Sequence, residues 1–147
     1  MPKSILFVCL GNICRSPLAE GIAKQIATRE GLDLLIDSCG TGSWHVGESP
    51  CEDSLRVAKE HGLDISALSA RQINSSDIEK FDLLIALDDK NLHDLKVMGG
   101  KNIQKLGFYG YNNEDVPDPY FFPGYEGFDK VYKMIETCVI NLLDENR

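Results

Sequence analysis

Four short β-rich runs, Ser4 to Val8, Leu34 to Ser38, Phe81 to Leu87 and Ile103 to Phe108, alternate with stretches whose apolar residues recur at helical spacing. Strands separated by helices cannot be joined by hairpins, so the alternation calls for parallel strands joined by helices. The predicted fold is a small doubly wound, Rossmann-like α/β domain, a four-stranded parallel sheet with helices on both faces, and ligands belong at the carboxyl ends of its strands. At 147 residues the chain fits one domain over 1–147 and buries roughly 70% of the surface its unfolded form exposes. No internal repeat, low-complexity tract or long linker divides it.

The first helix is expected after Arg15, with Ser16 as its cap, Pro17 in its first turn, and Leu18, Ile22 and Ile26 with Ala19, Ala23 and Ala27 forming an apolar stripe. A second helix is expected from Ser49-Pro50, turning Leu55 and Ala58 inward and stopping at Gly62. Ser76-Asp77-Ile78-Glu79 has the spacing of a capping box, and Asp88-Asp89 opens a helix carrying Leu92 and Leu95 up to Gly99-Gly100. From about Tyr125 onward Phe128, Val131, Ile135, Val139 and Leu142 share one helix face that should close one side of the sheet.

A formal charge of −8 rules against broad attraction to nucleic acid or anionic lipid, so an anionic substrate must be caught locally. The longest apolar run, Ile5 to Leu10, is far below the roughly 18 residues of a membrane span, and no cleavage pattern follows it, which predicts a cytoplasmic protein. Cys9, Cys14, Cys39, Cys51 and Cys138 are odd in number and scattered, as suits reduced thiols. His45, His61 and His93 are far apart in the sequence and read as surface or capping residues, and no metal or cofactor is implied.

The sharpest signal lies between the first strand and the first helix: Cys9-Leu10-Gly11-Asn12-Ile13-Cys14-Arg15-Ser16. A cysteine and an arginine six positions apart are common by chance. Their placement at a strand-to-helix junction, with Gly11 inside the loop and Ser16-Pro17 after the arginine, is not. Such a loop can aim successive backbone N–H groups at one centre, and the following helix adds its positive end, making an anion cradle without net positive charge. That field favours a nucleophilic thiolate at Cys9. Arg15 can hold two phosphate oxygens at once, and Ser16 can donate to the sulfur and make it a better leaving group. Farther on, Val116-Pro117-Asp118-Pro119-Tyr120 holds a carboxylate between two prolines, which by itself reads as an ordinary turn.

The segment Val8 to Pro17 closely resembles the signature of the low-molecular-weight protein tyrosine phosphatases, with Val8 where larger tyrosine phosphatases place histidine. Ala70-Arg71-Gln72-Ile73, Leu87-Asp88-Asp89 and Asp118-Pro119-Tyr120, with the length and element order, extend the resemblance over nearly the whole chain. It implies a metal-independent hydrolase of phosphotyrosine in proteins and of small aryl phosphates. Cys9 would be the nucleophile, Arg15 the phosphoryl clamp and Asp118 the general acid and then base. Leu10, Gly11, Asn12, Ile13 and Cys14 would frame the phosphate, Trp44 and Tyr120 would wall the aromatic ring, and Asp88 would support the loop. The implied partner is a tyrosine-phosphorylated protein, with the enzyme a monomer or weak dimer. Cys14 is also placed to form a reversible disulfide with oxidised Cys9.

Two positions depart from many relatives. Phe121 stands where a second tyrosine is common, which removes a regulatory phosphorylation site. Leu68 stands where a histidine commonly orients the loop asparagine, here Asn12. Three competing functions fit less well. An arsenate reductase would carry further cysteines around Ala86 to Lys96, and there are none. An arginine phosphatase of the same family has threonine in the loop where this chain has Ile13. A phosphopeptide-binding module would lack the nucleophile or the acid, and both Cys9 and Asp118 are present.

Overall fold

The computed structural model describes residues 2–121 and 125–146, with the backbone alone at 121, so the side chain of Phe121 lies outside the described residues. Four strands, β1 (Ser4–Cys9), β2 (Leu35–Gly40), β3 (Leu83–Ala86) and β4 (Ile103–Lys105), form one parallel sheet in the order β2-β1-β3-β4. The chain leaves β1 in one direction to reach β2 and later returns to the other side of β1 for β3 and β4. The carboxyl end of β1 therefore lies at the point where strand order reverses, the crevice in which α/β sheets hold ligands.

Alternation along β1 divides the core between the two faces of the sheet. Ile5, Phe7 and Cys9 pack with α1 (Arg15–Glu30), α2 (Glu52–Glu60) and α5 (Glu126–Glu145), whereas Leu6 and Val8 pack with Ile73, Phe81 and Leu95 beneath α3 (Ser75–Lys80) and α4 (Asp89–Val97). Helices on both faces are thus what the pattern predicted. The stripe Leu18, Ala19, Ile22, Ala23, Ile26 and Ala27 is buried, as are Phe128, Val131, Ile135, Val139 and Leu142 of α5. Among the described residues no helix is long and apolar enough to cross a membrane.

The helix starts differ from expectation in three places. Ser16 is not the cap of α1: Cys14 occupies that position without a side-chain bond, and Ser16 lies one residue inside the helix with its hydroxyl committed to the loop. The capping box of α3 is Asn74 with Asp77 rather than Ser76 with Glu79, because Asn74 Oδ1 accepts the Asp77 N–H and Asp77 Oδ2 accepts the Asn74 N–H. Helix α2 begins at Glu52 behind Cys51 rather than at Ser49-Pro50, and it buries Ser54, Val57 and Ala58, with Leu55 half-buried against the same core. The last predicted strand, Ile103 to Phe108, pairs only as far as Lys105 because its partner β3 ends at Ala86, and Leu106–Phe108 then turns as a 3-10 helix.

Candidate active site

The loop after β1 is folded by its neighbours. Thr41 N–H donates to Cys9 O, and Gly42 N–H donates to Leu10 O, so the chain beyond β2 runs alongside the loop and fixes its first half. At Gly40 the two backbones leave no room for a side chain: a Cβ there would stand 2.6 Å from Leu10 O and 3.2 Å from Asn12 N. Cys51 N–H, just ahead of α2, donates to Ile13 O at 2.7 Å and holds the second half. Asn12 takes a left-handed conformation, φ 58°, which asparagine tolerates better than most residues.

The Asn12 side chain is the hub of a buried polar network. Its Nδ2 donates to Ser16 Oγ at 2.7 Å and to Ser38 Oγ at 2.9 Å, while its Oδ1 accepts Arg71 N–H at 3.1 Å. Ser16 Oγ, which accepts from Asn12, lies 2.9 Å from Cys9 Sγ, a hydrogen-bonding distance. Asn12 N–H donates to Cys9 Sγ at 3.3 Å. Ser38 in turn donates to Glu20 Oε1 at 2.6 Å, and Lys24 pairs with the other oxygen of Glu20. Ser38 and the Arg71 backbone thus hold the Asn12 amide, and Leu68 stands where the resemblance implies a histidine.

Arg15 enters from the first residue of α1 and is almost fully buried. Its Nη1 donates to Asp88 Oδ2 at 2.8 Å and to Val116 O at 2.9 Å. Burial alone would favour loss of its proton. The sulfur of Cys9 and the carboxylates of Asp88 and Asp118 outweigh that, holding the guanidinium protonated more firmly than an ordinary arginine. Asp118 is reached through Val116 and Pro117, and its Oδ1 accepts Tyr120 N–H at 3.0 Å, a short Asx turn that fixes the carboxylate.

Cys9, Leu10, Gly11, Asn12, Ile13, Cys14, Arg15, Trp44, Asp118 and Tyr120 line one cleft of about 200 Å³. Ser16 is fully buried behind it, against Cys9. The structure thus brings together every residue that the sequence marked. Trp44 and Tyr120 are exposed aromatic side chains at the cleft. His45 also lines it, its Nδ1 3.0 Å from Glu48 Oε2, so it is not merely a surface residue. His61 stacks on Tyr132, and His93 is exposed.

Three supporting residues escaped the sequence reading. Glu20 follows Ser16 by four and precedes Lys24 by four, so an acidic residue on the buried side of α1 was its available signal. Ser38 and Cys51 offered none, since their partners lie 26 and 37 residues away.

A model of the low molecular weight phosphotyrosine protein phosphatases matches residues 4–147. The low molecular weight protein-tyrosine-phosphatase YfkJ of Bacillus subtilis is 38% identical over 95% of this chain and 93% of its own length. Its crystal structure superposes with a TM-score of 0.88 over 97% of this chain and 92% of that one. A protein tyrosine phosphatase of Entamoeba histolytica superposes with a TM-score of 0.90 at 33% identity, covering 97% of this chain and 96% of that one. A Drosophila arginine phosphatase does so with a TM-score of 0.90 at 35% identity, covering 97% of each. The signature loop, the sheet order and these likenesses agree, and the chain belongs to the low molecular weight phosphotyrosine protein phosphatase family.

Proposed function

We propose that the chain hydrolyses phosphotyrosine in proteins, and small aryl phosphates, in two steps through a phosphate carried on Cys9 Sγ. The observation that carries this is the convergence of the Cys9 sulfur, the Arg15 guanidinium and the Asp118 carboxylate on one cleft at the start of α1. In the first step Cys9 Sγ attacks phosphorus while Asp118 gives its proton to the departing phenolic oxygen. In the second, Asp118 takes a proton from the water that displaces the thiolate. Backbone N–H groups of Leu10 to Cys14, the positive end of α1 and Arg15 follow the equatorial oxygens through both transition states. Ser16 stabilises Cys9 as nucleophile and as leaving group, and Trp44 and Tyr120 flank the ring.

Ile13, which lines the cleft where the family's arginine phosphatases have threonine, supports tyrosine over arginine as the phosphorylated residue. The same reading has residues 1–147 as a single catalytic domain, working without metal in the cytoplasm as a monomer or weak dimer. The test is hydrolysis of an aryl phosphate, a phosphotyrosine peptide and a phosphoarginine peptide by wild type, Cys9→Ser and Asp118→Ala, from pH 5 to 8 without added metal. Turnover of the first two by wild type, none by Cys9→Ser with phosphate binding retained, and a large loss in Asp118→Ala are expected. Substantial hydrolysis by Cys9→Ser would remove Cys9 from its role, and faster turnover of phosphoarginine would replace the substrate.

A further inference from the structure

Cys14 and Cys51 face each other with their sulfur atoms 2.7 Å apart. Cys14 immediately precedes α1 and Cys51 immediately precedes α2, so the contact joins the anion loop to a second helix. It is not a chance meeting of two mobile side chains. Cys51 N–H donates to Ile13 O, and Ser54 Oγ from the first turn of α2 donates to Cys14 O at 3.0 Å, so both backbones are fixed beside the pair. Both thiols are only half-buried, which leaves them open to a small oxidant. A disulfide bond is about 2.0 Å long, so bonding requires the sulfurs to close by about 0.7 Å from where they stand.

The two thiols are also made unequal. The hydrogen bond from Cys14, with one from the Ser54 backbone N–H, lowers the Cys51 thiol below its ordinary range against the opposing effect of burial. The same bond raises Cys14, whose proton is held between the sulfurs, and burial raises it further. One member is therefore poised as the thiolate and the other as its proton donor, as in a reactive dithiol. Cys9 is engaged elsewhere, by Ser16 Oγ and Asn12 N–H.

We propose that Cys14 and Cys51 are a site of reversible oxidation, a dithiol that takes up the two-electron oxidation delivered by a peroxide as a Cys14–Cys51 disulfide and so spares Cys9. By the direct route, Cys51 thiolate attacks a peroxide oxygen, the O–O bond breaks, and hydroxide leaves. Cys14 sulfur then attacks the sulfenic sulfur of Cys51, and the displaced hydroxide departs as water with the Cys14 proton. If the peroxide reaches Cys9 first, Cys14 displaces water from its sulfenic acid. Cys51 thiolate then attacks Cys14 Sγ, and Cys9 leaves as thiolate. Both routes reduce one peroxide, oxidise two thiols and end at the same bond. The sequence paired Cys14 with Cys9; the geometry assigns Cys14 to Cys51. The sparing of Cys9 matters through its proposed catalytic role, whereas the disulfide itself does not depend on that role.

The test treats the full reduced chain with stoichiometric hydrogen peroxide, blocks free thiols with iodoacetamide and maps the unreduced digest by mass spectrometry. Fragment ions should place the link between Cys14 and Cys51, with Cys9 carbamidomethylated and the link lost on adding dithiothreitol. In Cys51→Ser, or Cys51→Ala should the serine variant fold poorly, alkylation of Cys9 after the same treatment should fall several-fold. A Cys9–Cys14 link, or sulfinic acid at Cys9 with Cys51 alkylated, in wild type would overturn the proposal. These readouts are masses, so a failure of the proposed hydrolysis would leave them standing and separately interpretable.

Discussion

Arg15 and Asp88 are joined by one hydrogen bond of 2.8 Å, and the same carboxylate uses its other oxygen to accept Asn91 N–H at 2.8 Å as the cap of α4. Read from the sequence, Asp88-Asp89 opens a helix, and the family resemblance makes Asp88 a support for the loop. It does both, because the cap of α4 stands at the carboxyl end of β3, beside that of β1.

Removing this carboxylate should therefore have two separable effects. Asp88→Ala should cost about 1 kcal/mol of stability through the lost cap. It should also leave Arg15 Nη1 held by Val116 O alone, lowering kcat/KM for an aryl phosphate by about ten- to hundredfold, on the scale of about 1.5–3 kcal/mol for a bond to a charged group. Asp88→Asn, which keeps a capping oxygen, should recover most of the stability and less of the activity. Thermal unfolding and steady-state kinetics on the same samples check both.

Ser16→Ala removes the hydroxyl that stands 2.9 Å from Cys9 Sγ and leaves the Asn12 amide with one acceptor fewer. A donor to a developing or leaving thiolate acts mainly in the transition states, so kcat should fall about tenfold to a hundredfold, with KM changed far less. A proportional rise in KM with kcat intact would assign Ser16 to substrate binding instead.

How much of this was legible beforehand depended on sequence distance. The loop from Cys9 to Ser16 is contiguous, so its residue types and its strand-to-helix setting could be read directly, and Asp118 became legible through the family segment it belongs to. Element existence followed from periodicity, whereas element ends did not. The capping box of α3 was displaced by two residues because Asn74 and Asp77 outcompete Ser76 and Glu79, with Arg71 adding two bonds to Asp77. The polar network behind the loop was invisible for another reason. Ser38 lies on β2, Glu20 on α1 and Arg71 before α3, and only the folded sheet brings them to Asn12.

Gly40→Ala should show how tightly β2 is laid against the loop. The added methyl would sit 2.6 Å from Leu10 O, a backbone atom that cannot swing aside. Overpacking of this kind costs about 1–3 kcal/mol. The relief available is a shift of the loop itself, so kcat/KM should fall by more than the loss of stability alone would suggest. A variant with lowered unfolding temperature but wild-type kcat/KM would show that the strand, not the loop, yields.

Arg71 and Asp77 give a pH-dependent share of the stability. Burial pushes the Asp77 carboxyl up, but the paired bonds from Arg71 Nη1 and Nη2, at 2.9 and 3.0 Å, and the Asn74 N–H outweigh it and hold the group below its ordinary value. A carboxylate whose folded pKa is depressed stabilises the protein above its unfolded value, near 3.9, and loses that contribution as pH falls through the folded value. Asp77→Asn should therefore lower stability by about 1–3 kcal/mol at neutral pH, the cost of disrupting a buried, hydrogen-bonded carboxylate. The gap from wild type should narrow as pH drops from 7 toward 3. Because the Arg71 backbone also donates to Asn12 Oδ1, the variant should turn over an aryl phosphate more slowly even where it is fully folded. Urea unfolding of both proteins across that pH range checks the sign: a gap that stays constant or widens on acidification would show that Asp77 contributes in its protonated form.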